Sequence, residues 1–338
     1  MEKYVIFDFE RSNLQNYARE PVISKMKNGT LICLFLTGGE KEPDNNNVVM
    51  ISRSYDDGVS WSEPVVLFKH GKRGCWATEI FDKGEYPFIV VHTYNAVNHY
   101  IELQTYRSYS YDNGETWTNP ISFPSGINGV SVRKGVELSN GSWIFPIYWQ
   151  ESPYDFDWSI KKEENPLKLR FPFRSGVMIS EDKGETYQRY GYFKCDRVFW
   201  EPNCVEAENG HILYYMRNKT GYLYFTESWD YGKTWSAPVK TDIPNADTKL
   251  TLIKIKDKIL LISNFRSSLE FNERTNLEIR ISEDNGKTFG KIFKLEDRDK
   301  VFFYPHAYND DENEILYVAY ENKFQHYLAK INYSELGI

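Results

Sequence analysis

Apolar residues come in short runs along this chain, each ended by glycine, asparagine or aspartate. PVISK, TLICLFL and NVVMISRS have the alternation or saturation of strands, and Asn28-Gly29 between the first two is a hairpin signal. After the third run comes SYDDGVSW (Ser54–Trp61), and then PVVLF. The unit reads as four strands. A tight turn joins the first two, a polar loop the second and third, and the SYDDGVSW turn the last two.

The same order returns. A second unit runs from about Ala77 to Ile121 through EIF, PFIVVHTY, YIELQTYRS and WTNPIS. A third begins near Ser131 with GVEL, Asn140-Gly141 and SWIFPIYW. A fourth begins near Glu201 with NCVEA, Asn209-Gly210, HILYYMR and LYFTES. A fifth begins near Lys249 with LTLIKI, KILLISNF and LEIRIS. A sixth begins at Tyr304 with ILYVAYE and YLAKINY.

One turn marks the repeat. SYDDGVSW, SYDNGETW (Ser110–Trp117) and SWDYGKTW (Ser228–Trp235) share Ser-x-Asp-x-Gly-x-x-Trp; SEDKGETY (Ser180–Tyr187) and SEDNGKTF (Ser282–Phe289) end in another aromatic. An Asp that accepts from its own turn, and a Gly that takes positive φ, explain one copy as an ordinary hairpin. Five copies spaced 56, 70, 48 and 54 residues apart make a repeat of strand units, the pattern of propeller blades.

The sixth unit lacks the turn, and the N-terminal run KYVIFDF (Lys3–Phe9) lacks a unit. A closed ring removes exposed strand edges, so this run is expected to complete blade six beside Tyr327–Tyr333. The expectation is all-β: a six-bladed β-propeller of four-stranded antiparallel blades, one domain over residues 1–338. Gln150 to Arg174 reads as an insertion between the second and third strands of blade three.

Composition narrows the function. Net charge is −7 over 338 residues, with 41 basic and 48 acidic side chains. That balance excludes a general nucleic-acid footprint, and an anionic partner has to be met by local arginines. The four cysteines show no CxxC spacing and read as reduced thiols. The six histidines form no HExxH-type cluster, so neither metal nor other cofactor is expected. The opening MEKYVIFDFERSN is neither a signal peptide nor a membrane span, which points to a cytoplasmic chain, or a secreted one if the natural protein begins earlier.

Strands alternate in direction, so the Asp-containing turns share one face with the first hairpins of each blade. The opposite face carries the second-to-third loops and the entries to each first strand. There lie Arg19 before blade one, Asp44 in its polar loop, Glu201 and Arg217 of blade four, Arg274 of blade five and Tyr304 of blade six. Singly, each is an ordinary surface residue; six on one face form a candidate site.

At these residues the chain resembles the bacterial exo-sialidase (neuraminidase) superfamily of six-bladed propellers with Asp boxes. The family places a Glu nine residues before, and an Arg seven residues after, the Gly of a strand turn; around Gly210 those offsets fall on Glu201 and Arg217. RTNLEIRISEDNGKTF is similar to the stretch carrying the third arginine, giving Arg274. VFFYPHAY is similar to the stretch with the tyrosine nucleophile, giving Tyr304. AREPVISKMKNGTLICLF stands where the family has Arg-Ile-Pro, giving Arg19. Three departures stand out: Glu20 replaces Ile, SVRKGVEL brings in Arg133 and Lys134, and the Asp44 loop aligns poorly, leaving Glu40 and Glu42 as alternatives for its role.

The resemblance implies a retaining exo-glycosidase that releases sialic acid from sialylated glycans. Arg19, Arg217 and Arg274 would hold the sugar carboxylate, Tyr304 would attack, Glu201 would take its proton, and Asp44 would act as acid; Glu20 would line the substrate site. Arginine forks suit a carboxylate, and a neutral phenol is a nucleophile that this anionic centre does not repel. Action on another acidic, ulosonic or uronic-type sugar by hydrolysis or transfer, favoured by Glu20 and Arg133-Lys134, is one alternative; a non-catalytic glycan-binding propeller is another. Glu321 is a candidate to orient an arginine, Arg266 and Arg280 are rival third arginines, and Trp76, His92 and His99 are candidate sugar contacts.

Overall fold

The computed structural model describes residues 1–9, 17–97, 103–150, 173–194, 198–322 and 324–338. Six antiparallel sheets are arranged as blades. Blade one pairs Ala18–Lys25, Leu31–Thr37, Val48–Ser54 and Val65–Phe68; blade two pairs Gly74–Phe81, Phe88–Tyr94, Gln104–Tyr109 and Ile121–Ser122. Blade three has a first strand broken into Ser131–Val132 and Val136–Glu137, then Trp143–Gln150, Phe173–Ser180 and Gln188–Phe193. Blade four pairs Trp200–Glu208, His211–Arg217, Tyr222–Ser228 and Val239–Pro244, and blade five Thr251–Ile255, Lys258–Asn264, Leu277–Ser282 and Lys291–Lys294.

Blade six holds Phe303–Asp310, Ile315–Glu321 and Gln325–Asn332, and its fourth strand is Glu2–Asp8. Lys3 faces Ala329 and Val5 faces Tyr327, so the two ends of the chain close the ring as the unpaired N-terminal run required. His99, Cys195 and most of the blade-three insertion lie outside the described residues.

Apolar side chains gather at the seams between blades. Ile23, Leu31 and Phe35 of blade one meet Tyr317, Ala319 and Leu328 of blade six; Leu252 and Leu261 of blade five meet Val205 and Leu213 of blade four. The inner strands of each blade, such as Leu31–Thr37 and Phe88–Tyr94, are therefore buried on both faces, which is why their runs are apolar without strict alternation, while the outer fourth strands stay largely exposed.

The Asp boxes tie the seams together. In blade two, Asp112 Oδ1 accepts the Thr116 N–H at 2.9 Å, and Ser110 Oγ accepts the Gly114 N–H at 2.7 Å. Gly114 has φ +85°, and a Cβ there would lie 2.2 Å from Cδ1 of Ile32 in blade one. Arg53 of blade one donates to the Gly114 carbonyl at 2.8 Å. Gly286 of blade five meets Leu213 of blade four in the same way. The box glycine thus serves its own turn and the neighbouring blade at once.

Gly114→Ala should therefore cost more than Gly29→Ala. Gly29 also has positive φ (+91°), but open space surrounds it. Backbone strain alone is worth roughly 1–2 kcal/mol; the collision with Ile32 adds about 1–3 kcal/mol of overpacking. Urea denaturation of the two variants checks this, and equal losses would mean the seam yields freely.

Candidate functional site

Three first strands carry the same local irregularity. Pairing shifts between Arg19 and Val22, between Trp200 and Asn203, and between Phe303 and His306. The residue inside each bulge has positive φ: Glu20 at 57°, Glu201 at 41° and Tyr304 at 56°. Each is followed by proline (Pro21, Pro202, Pro305), which has no N–H to offer a ladder and keeps the preceding residue out of the right-handed helical region. Bulges re-aim side chains beside active sites, and these three bring Glu20, Glu201 and Tyr304 to one charged centre.

Arg217, only 5% exposed, is the hub of that centre. Its Nη1 donates to Glu201 Oε2 at 2.6 Å and to the Tyr304 hydroxyl at 3.2 Å, and its Nε donates to Asp247 Oδ1 at 2.8 Å. Its guanidinium lies over Trp200, 5.2 Å from the ring centre. Glu201 and Asp247 hold the Arg217 pKa well above its ordinary value despite the opposing pull of burial. For the Tyr304 phenol, burial and the Glu201 charge outweigh Arg217 and Arg274 and push the pKa up to about 12. The resting nucleophile candidate is a neutral phenol.

The other two arginines share an aromatic wall. Arg19 and Arg274 both lie over Phe271 (5.5 and 4.8 Å) and over Phe303 (5.4 and 5.3 Å), and Arg274 also faces Tyr304. Arg274 Nη2 donates to the Asp247 main-chain carbonyl at 2.9 Å, and Arg19 Nη1 stands 3.9 Å from Glu321 Oε1. Arg19 Nη1 and Arg274 Nε are buried and make no hydrogen bond among the described residues. Buried donors of this kind call for a partner, and Arg217 and Arg274 at the phenol with Arg19 on the same aromatic wall favour an anion.

Several expected placements hold and others change. Arg19 lies inside the first strand, at its second residue, rather than before it. Arg266 pairs with Glu273 at the surface and Arg280 lies over Phe265, so Arg274 is the arginine that reaches the centre. Glu321 accepts the Glu20 N–H at 3.1 Å and contacts His326 at 3.1 Å as well as facing Arg19. His92 is fully buried against Trp76 and Thr78.

Glu20 is held within the protein. It accepts from Arg133 Nη2 and Trp76 Nε1, each at 2.5 Å, and Lys249 Nζ lies 3.6 Å away. Burial opposes its charge, but Arg133 and Lys249 win and bring its pKa down to about 2. Lys249, buried beside it, sits 5.6 Å from the centre of the Tyr304 ring, and burial lowers its pKa against the pull of Glu20.

Asp44 stands in the loop between the second and third strands of blade one, as expected, but its carboxylate is engaged locally. Oδ1 accepts from the Asn46 N–H at 2.8 Å and from Asn46 Nδ2 at 3.0 Å, and Oδ2 faces the Glu40 N–H at 3.4 Å. These bonds hold its pKa below the ordinary carboxylate value. Glu42, two residues earlier, is exposed to solvent. The protein atoms near its carboxyl, with Glu20 and against Arg19, push its pKa up towards about 8, and its exposure tempers that rise; Glu201 and Glu321 add to it.

Asp247 is the functional candidate that sequence reasoning missed, since an Asp in a connector looks like any solvated loop residue. Its φ is +48°, and one residue engages two arginines, through side chain and carbonyl. The missed signal for the bulges is the recurrence of Glu-Pro, Glu-Pro and Tyr-Pro at the entries to blades one, four and six.

Comparison with known proteins agrees with this fold. The family model described as BNR repeat-like domain matches residues 29–318. A sialidase of Bacteroides fragilis (strain YCH46) is 23% identical over 289 residues, 73% of this chain and 49% of that protein, so the chain spans about half the length of this relative. Among solved structures, the Hadza microbial sialidase Hz136 superposes with TM-score 0.76 at 15% identity, over 98% of this chain and 69% of that one. A protein of unknown function from Dyadobacter fermentans does so with TM-score 0.73 at 18% identity, over 97% of both chains. Trypanosoma rangeli sialidase, solved in complex with sialic acid, gives TM-score 0.67 at 19% identity, over 98% of this chain and 57% of that one. The chain belongs to the BNR repeat-like domain family, and its six-bladed fold is the one it shares with these sialidase structures.

Proposed function

We propose that this protein is a retaining exo-glycosidase for a terminal sugar carrying a carboxylate on its anomeric carbon, with sialic acid as the first substrate to test. One observation carries the reading: Arg217 Nη1 joins Glu201 (2.6 Å) and Tyr304 (3.2 Å) beside the aromatic wall that holds Arg19 and Arg274. The three guanidinium groups bind the carboxylate. The Tyr304 oxygen attacks the anomeric carbon as the bond to the leaving oxygen breaks. Its proton passes to Glu201, since a phenol with a pKa of about 12 needs a base at neutral pH. An acid protonates the leaving oxygen. Water then attacks from the opposite side, giving its proton to the carboxylate that served as acid; the bond to the Tyr304 oxygen breaks, Glu201 returns the proton to that oxygen, and the configuration is retained.

Glu42 fits the acid role better than Asp44. An acid has to be protonated at working pH; Glu42 is pushed up to about 8, whereas Asp44 is held low by its own loop. Glu20 reads as a counter-charge to Arg133 and Lys249 rather than a substrate contact, which favours a single-carboxylate sugar over a more acidic one.

Tyr304→Phe should keep the fold and lose roughly 10³-fold or more in turnover; steady-state kinetics on an aryl sialoside measure it, and near wild-type rates would make Tyr304 a packing residue.

Arg274→Ala should cost about 2–5 kcal/mol in transition-state stabilisation. Methyl esterification of the substrate carboxylate should then hurt the wild type far more than the variant; equal penalties would mean that Arg274 holds something else.

Glu42→Gln should slow a natural glycoside by about 10²–10⁴-fold and an activated aryl substrate much less. Protonated Glu42 persists below its raised pKa, so wild-type kcat/KM should fall as pH rises through about 8, and the variant should lose that limb. If Asp44→Asn shows both effects instead, Asp44 is the acid.

A further inference from the structure

The Asp-box face carries a second aromatic feature that the catalytic centre does not use. Position two of the five boxes is Tyr55, Tyr111, Glu181, Trp229 and Glu283. Trp229 is 66% exposed, yet its ring is fixed: it stacks on His211 with ring centres 3.5 Å apart and planes 6° from parallel. The imidazole is held in turn by Glu227, 2.9 Å from Nε2. A groove of about 800 Å³ runs from this shelf towards the box of blade five, with Asp242, Asn285 and Lys287 on its lining.

We propose that this groove is a second carbohydrate site, binding a neutral hexopyranose on the exposed face of Trp229. An indole backed on one side offers a flat apolar surface at no cost in side-chain ordering, which suits the C–H face of a pyranose. A wholly apolar occupant would strip water from Asp242, Asn285 and Lys287 without replacing their hydrogen bonds; sugar hydroxyls replace them. Acidic and basic groups stand together along the lining, so an uncharged ring matches it better than an anionic one.

The site is separate from the catalytic centre. His211 and Arg217 are the two ends of one strand, about 20 Å apart at the usual rise per residue. A branched glycan or glycoprotein engaged at both ends of the blade would remain bound between cleavages, by the ordinary gain from linked sites.

The test is a titration of the whole protein with lactose, followed through the indole N–H resonances of its nine tryptophans. The resonance missing from Trp229→Phe identifies Trp229. It should shift with a millimolar midpoint while the other indole signals stay in place. Trp229→Ala should lose lactose binding but hydrolyse an aryl sialoside as the wild type does. The titration does not depend on hydrolysis, so failure of the catalytic reading leaves it standing. An unmoved Trp229 signal, lactose binding retained by Trp229→Ala, or a dimer in sedimentation that Trp229→Ala abolishes would overturn the proposal; the last would assign the shelf to a second copy of this chain.

Discussion

A guanidinium buried as deeply as Arg217 is tolerable only with its anions in contact, because an unpaired charge in such surroundings costs several kcal/mol. Glu201 from the first strand of blade four and Asp247 from the connector into blade five supply those anions. The Tyr304 hydroxyl from blade six takes a further donor position. One cation therefore fixes three elements that are distant in sequence. Asp247 extends the constraint, since its carbonyl receives Arg274 and so sets the spacing between two of the three arginines. The strained φ values at Glu201, Asp247 and Tyr304 are the backbone's share of this arrangement.

A second charged layer lies alongside this hub. Glu20 meets Arg133 and Lys249, and the His306 Nε2 lies 3.5 Å from Glu79 Oε2. Its members are too deeply buried to serve as simple surface charges, and burial pushes the Glu79 pKa up to about 7. Because Glu20 answers Arg133 and Lys249, these cations do not add their full charge to the arginine basin. The departure from an apolar residue after Arg19 thus accompanies Arg133 of SVRKGVEL: each makes the other's burial possible.

The propeller was legible because its signals are local. An Asp box is a turn closed by its own Ser and Asp, and the unpaired run at Lys3–Phe9 had one sheet edge left to fill. Glu201 and Arg217 were legible because a single hairpin fixes their separation. Asp44 and Glu42 were not separable, since the loop from Gly38 to Asn47 has no periodicity, and the choice depends on which carboxylate the loop's own N–H groups capture. Glu20 was placed beside the arginine cluster, but its partners could not be read off, because Trp76, Arg133 and Lys249 come from three other blades or connectors. Contacts of that range leave no spacing in a sequence.

The most direct measurement is to identify the residue that becomes glycosylated. A sialosyl fluoride bearing a second fluorine next to the anomeric carbon destabilises the transition state for turnover while keeping fluoride as a good leaving group. Incubated with the protein, it should form a C–O bond to the phenol, release fluoride and leave the phenol proton on Glu201. Peptide mass spectrometry should then find the sugar on Tyr304, and activity should return as the adduct hydrolyses. Attachment to Glu201 or another side chain, or consumption of the reagent without any adduct, would contradict the account.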